Sequence, residues 1–133
     1  MEIVAALFIE NINLRQVPGP STRIDLSGIM FSLAAPQPVP VTLTPHLVVL
    51  VRCPADHNGE GTLETSFRDA NGKEVARNAQ PLQVEPGKFR YSLVKGELTY
   101  DDYGTIEAHC RIDSGHTTVV PLTLLPPVGP DDA

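Results

Sequence analysis

The stretch HLVVLVRCPADHNGEGTLETSFRDANGK, from His46 to Lys73, leaves little freedom in how this chain folds. His46 to Cys53 is a nearly continuous run of Leu and Val, the length of a strand and too short for a typical buried helix, with Pro45 and Pro54 on its flanks. From Gly61 to Asp69 the pattern alternates, setting Leu63, Thr65 and Phe67 on one face and Glu64, Ser66 and Arg68 on the other. Asp69-Ala-Asn-Gly72 closes that segment as a hairpin turn, because Asn71 and Gly72 both tolerate positive φ. A strand, a loop, a strand and a turn in that order predict the middle of an all-β domain.

The flanking segments extend the pattern. Thirteen Pro and ten Gly in 133 residues punctuate short apolar runs and are not gathered into one block, which favours many strands over long helices. The leading Ile3 to Ile9 places Ile3, Ala5, Leu7 and Ile9 on one face and Val4, Ala6 and Phe8 on the other, so both faces need cover from this chain or a second copy. Asn11 to Pro20 reads as a loop. Thr22 to Leu33 reads as a strand whose apolar phase changes at Ser27-Gly28, where a bulge would return Ile24, Leu26, Ile29, Phe31 and Leu33 to one face. Pro36, Pro38, Pro40 and Pro45 predict an extended crossing between sheets. Glu74 to Val84 holds one or two weak strands around Pro81. Phe89, Tyr91 and Leu93 alternate with Arg90, Ser92 and Val94, and Ile106, Ala108, Cys110 and Ile112 alternate with Glu107, His109 and Arg111. Ser114-Gly115 turns the chain into Thr117 to Leu125, where Pro121 marks an edge or a bulge.

The expectation is one domain over residues 1–126 with a tail at 127–133. Its fold is an antiparallel two-sheet β-sandwich of eight or nine strands, with Leu63, Phe67, Phe89, Tyr91, Ile106, Ala108 and Ile112 inside. The Ala6-Leu-Phe strand, Gly28, Pro45-His-Leu-Val-Val-Leu-Val, the Asp69-Ala-Asn-Gly turn and Asp102-Tyr-Gly-Thr-Ile-Glu-Ala-His-Cys-Arg-Ile-Asp-Ser-Gly together resemble a family of uncharacterised small bacterial β-sandwich proteins. That resemblance implies an immunoglobulin-like sandwich and brings no catalytic residues with it. The spacing of Cys53 and Cys110 is also similar to the paired cysteines of immunoglobulin domains, although Trp is absent and Ile106 and Ala108 stand where a corner Tyr belongs.

Net charge is −6, with no cluster of Lys or Arg, so neither nucleic acid nor an anionic membrane is an expected partner. The apolar N-terminus lacks a basic leader and is too short to span a bilayer, so a cytoplasmic address with Cys53 and Cys110 as free thiols is expected. Both cysteines fall on core-facing positions, where burial raises a thiol pKa and removes its nucleophilic character.

Chemistry-bearing residues are scattered. Cys53 and His57 form one Cys-x-x-x-His pair, while His46, His109 and His116 stand apart, with His109 and His116 flanking a turn. Glu97, Asp101, Asp102 and Glu107 lack the spacing of a calcium loop. There is no nucleophile elbow and no phosphate loop, and with no Trp only Tyr91, Tyr100 and Tyr103 are available as a sugar platform. Two functions follow. The first is a non-catalytic binding or assembly module without cofactor or metal, presenting loops 54–61 and 95–104 to a protein partner, or pairing as a homodimer through the first strand. The second is a small metal-dependent hydrolase built from His57, His109, His116 and Asp101/Asp102.

Overall fold

The computed structural model describes residues 1–19 and 21–129, and within them the chain is all-β, without a helix. Pro20 of the Pro18-Gly-Pro20 turn, and the end of the expected tail from residue 130 onward, lie outside the described residues. Twelve strands follow in order: β1 (Glu2–Ile9), β2 (Asn11–Gln16), β3 (Thr22–Ser27), β4 (Ser32–Ala34), β5 (Val41–Leu43), β6 (His46–Arg52), β7 (Glu60–Arg68), β8 (Glu74–Gln83), β9 (Phe89–Lys95), β10 (Leu98–Tyr100), β11 (Gly104–Ile112) and β12 (Thr118–Leu125). They assemble as a three-stranded sheet β1-β6-β9, a five-stranded sheet β4-β12-β11-β7-β8, and two two-stranded ladders, β2-β3 and β5-β10.

The small ladders are extensions of the three-stranded sheet. His46 faces Lys95 in β6-β9 and Leu43 faces Leu98 in β5-β10, so the register passes unshifted over Thr44-Pro45 and Gly96-Glu97. Pro45 has no N–H to give the ladder, which interrupts it there. In the same way β1 runs into β2 at Glu10, and Phe8 pairs with Met30 in the register that β2 keeps with β3. The twelve described strands exceed the eight or nine expected: β2 and β5 lie where a loop and an extended crossing are expected, the expected strand over 22–33 divides into β3 and β4, and Gly96-Glu97 separates β10 from β9.

A single apolar cluster draws on both main sheets. Phe8, Leu47, Val49, Val51 and Val94 come from the three-stranded sheet, and Leu63, Phe67, Ile106, Cys110 and Leu122 from the five-stranded one, giving a sandwich-like packing of two layers. The alternation of β7 and β11 faces as expected, with Leu63, Phe67, Ile106, Ala108 and Ile112 all buried. The proline-rich segment after β4 crosses from the five-stranded sheet to β5. β8 accepts Pro81 because it is an edge strand. β12 accepts Pro121 because β4 pairs only with Thr123–Leu125 on that side, and it does so in parallel, the one departure from antiparallel pairing among the described strands.

Several expectations are corrected. Asn11–Gln16 is a strand, not a loop. Phe89 and Tyr91 are not interior: β9 turns Arg90, Ser92 and Val94 toward β6's core-facing Val51, Val49 and Leu47, which sends Phe89, Tyr91 and Leu93 to the outer face. In β1 the register shifts between Ile3 and Ala5, leaving Val4 exposed and putting Ile3 against the same core as Ala6 and Phe8. Gly28 has φ +66° and its carbonyl shares the Glu10 N–H with that of Ser27, yet the apolar residues beyond it do not return to one face: Ile29 and Phe31 are exposed, whereas Met30 and Leu33 pack on the core. In the β7-β8 turn only Gly72 takes positive φ. Asp69 organises the rest, its Oδ1 accepting the N–H groups of Asn71 and Lys73.

Candidate functional site

The β2-β3 hairpin alternates along both strands. Ile12 faces Leu26 and Leu14 faces Ile24 on one side, while Asn13, Arg15, Arg23 and Asp25 occupy the other. Arg15 clasps Asp25 there, Nε to Oδ2 at 2.6 Å, and this hydrogen bond holds the Asp25 carboxyl below its ordinary range. A two-stranded hairpin is marginal alone, so its apolar side must rest on something. It lies over the outer face of the three-stranded sheet. There Ile9 and Val48 are fully buried although they stand apart from the central cluster.

Closure is incomplete. Leu14, Ile24 and Leu26 of the hairpin face Leu50, Phe89 and Tyr91 across a cleft of about 690 Å³. Leu14 remains 50 % exposed and Phe89 49 %. The volume lies in the range of small-molecule sites, and apolar walls with polar groups at the mouth are their usual composition. A second hollow, of about 470 Å³, lies on the outer face of the five-stranded sheet beside Arg68, Thr105, Glu107 and His109. Its surroundings are charged and internally matched: Arg111 and Arg77 both approach Glu64, at 3.2 and 3.6 Å, Arg77 also meets Glu74 at 3.0 Å, and His109 Nε2 lies 3.4 Å from Glu107 Oε1.

The residues singled out from the sequence are dispersed. His57 sits in the 54–59 loop, where its Nδ1 accepts the Gly59 N–H at 2.9 Å and lies 3.8 Å from Cys53 Sγ. With its Nδ1 lone pair committed to a backbone N–H, His57 braces the 54–59 loop beside Cys53. His109 stands on β11's outer face, His116 in the exposed turn after it, and Asp101 and Asp102 in the turn after β10. Among the described residues no three His, Cys, Asp or Glu side chains come close enough to share a metal ion, so His57, His109, His116 and Asp101/Asp102 do not assemble.

Cys53 and Cys110 are both free and fully buried. Burial pushes the Cys110 thiol up to about 11, against a weaker opposing hydrogen bond from Thr65, whose own buried hydroxyl finds no other partner. Tyr100 is buried and gives its hydroxyl to the Leu122 carbonyl at 2.8 Å, linking β10 to β12, and burial raises its pKa. Tyr103 packs on the core, so neither offers a flat face to a sugar. Of the loop at 95–104, Leu98 and Tyr100 are interior, whereas Lys95, Glu97, Thr99 and the turn at Asp101-Asp102 are exposed.

The sequence hides the cleft because Asn11, Asn13 and Gln16 make β2 read as a loop. The signal was present in the alternation Asn11-Ile-Asn-Leu14 against Ile24-Asp-Leu26. Compared with protein-family models and with curated proteins, the chain matches none.

Proposed function

We propose that this protein is a non-catalytic binding module, an immunoglobulin-like two-sheet sandwich of the small bacterial kind it resembles, which receives an apolar group in the cleft beneath its β2-β3 hairpin. The observation that carries the reading is the cleft itself. Leu14 and Phe89 stay half exposed facing one another, although neighbouring Ile9 and Val48 on the same outer face are fully covered. Apolar surface held open at a concave site, and not scattered singly, is the usual mark of a binding surface. The shared core of the two main sheets supports the sandwich, and two free thiols support a cytoplasmic address.

An uncharged solvatochromic dye such as Nile red tests it. Saturable one-to-one binding to the native chain is expected, weakened about tenfold by Leu14→Ser with Phe89→Ser while far-ultraviolet circular dichroism stays unchanged. Dye binding that is non-saturable, or equal in the variant, removes the cleft reading.

A second reading, association of two copies, is favoured by Ile29 and Phe31, exposed at 48 % and 56 % beside the edge strand β4. Phe8 and Ile9 no longer require it, since both are buried within one chain. Sedimentation should then show a concentration-dependent dimer that Phe31→Ser dissociates, and a monomer at high micromolar concentration rejects it.

A further inference from the structure

Resting on the cleft reading above, we propose that the apolar group received there is a side chain of an extended peptide, whose backbone pairs antiparallel with the free edge of β9. β9 is the outermost strand of the three-stranded sheet. Cys53 gives its N–H to the Lys88 carbonyl, which fixes the phase of the β6-β9 ladder. Arg90, Ser92 and Val94 therefore turn their backbone groups to β6, and Phe89, Tyr91 and Leu93 turn theirs away from it. Among the described residues the outward N–H and C=O groups of those three meet no backbone partner.

The neighbouring edge is closed by contrast. β8 is the outermost strand of the five-stranded sheet, and the Val84 N–H bonded to Gly59 sets Gln83, Pro81 and Ala79 outward in the same way. Pro81 has no N–H to offer, and the Gln83 carbonyl already accepts Arg90 Nη1 at 2.8 Å. An edge guarded in this manner resists pairing, whereas β9 carries neither a proline nor a register shift.

What an added strand finds on either side decides the occupant. The hairpin cleft opens on the outer face of β9, where Phe89 and Tyr91 share it with Ile24 and Leu26 of β3. A further hollow, also of about 470 Å³, lies between β9 and β8 and is lined in part by Gln80, Gln83 and Ser92. Side chains alternate across an extended strand, so one set enters the hairpin cleft and the next enters the hollow beside β8. The first wall is apolar. The second is polar, and Asn78, on the same face of β8 as Gln80, buries an Oδ1 that has no partner. The peptide is therefore of the class that alternates large apolar with hydroxyl side chains. A bare strand suits the place better than a second copy paired through its own β9, because in each copy that edge is recessed between β3 and β8.

The test titrates isotope-labelled full chain with a capped heptapeptide alternating Thr and Leu, kept monomeric. The expected result is one-to-one binding that displaces Nile red and slows amide exchange at Phe89, Tyr91 and Leu93, with no change at Arg90, Ser92 and Val94, whose N–H groups are already bonded. Antiparallel pairing joins residues whose side chains share a face, so the Leu N–H groups point at β9 and the Thr N–H groups point away. N-methylation of the Leu residues should then weaken binding at least about tenfold, while N-methylation of the Thr residues, with every side chain kept, changes it less than about threefold. Leu93→Pro, which removes one outward donor and none bonded to β6, should also weaken the peptide about tenfold. The N-methylated pair decides the matter on the native chain even where that substitution unfolds it. Equal affinities of the two N-methylated peptides, or the reverse order, overturn the inference, as does slowed exchange along another edge. A dimer in sedimentation that Leu93→Pro dissociates overturns it in favour of self-pairing. Saturable Nile red binding without peptide binding refutes the peptide and leaves the cleft reading standing, whereas loss of both refutes the cleft.

Discussion

Raising the pH should destabilise this protein through a residue that has no role in binding. Cys110 lies in the core with its thiol pKa raised by burial from an ordinary 9.0 to about 11. In the unfolded chain the thiol loses its proton above pH 9, while the folded chain keeps it until about pH 11, so between those values the native state binds more protons and stability falls as pH rises. Each unit of separation is worth about 1.4 kcal/mol, so roughly 2–3 kcal/mol of the stability present below pH 9 is lost as the pH reaches and passes 11. Cys110→Ala removes this dependence, and the small void it leaves costs about 1–2 kcal/mol at every pH. Urea unfolding followed by circular dichroism, with reductant present, should therefore find the wild type more stable at pH 8 and the variant about 1 kcal/mol more stable at pH 11. Every other titrating group is common to both chains, so their difference isolates the thiol. Parallel curves from pH 8 to pH 11 would refute the reasoning.

Two further outcomes follow from buried polar groups. Tyr100→Phe should cost about 1–1.5 kcal/mol by removing the hydroxyl that joins β10 to β12, and should relieve part of the loss of stability above pH 10; an unchanged urea midpoint would mean that the Leu122 carbonyl is satisfied without it. Thr65→Val, nearly isosteric, should raise stability by about 1 kcal/mol because the Thr65 hydroxyl is buried without an ordinary partner, and a decrease would show that the contact with Cys110 is worth more than the burial costs.

The strands that alternate strictly were legible from the sequence. β7 and β11 carry charged residues on one face, so only one side of each tolerates a core, and Leu63, Phe67, Ile106 and Ile112 point inward as that demands. β9 shows where alternation stops helping. Phe89, Tyr91 and Leu93 do share a face, but Arg90 and Ser92 oppose Val51 and Val49 on the core side, so the more apolar face is the outer one. Composition points inward only when nothing covers the outside, and here the β2-β3 hairpin does. β1 hid its register shift because Ile3, Val4, Ala5 and Ala6 are all apolar, so moving the phase by one residue changes no hydrophobicity. The cleft combines both difficulties: one wall is a strand made polar by Asn11 and Asn13, and the other consists of residues whose period was legible but whose side was not.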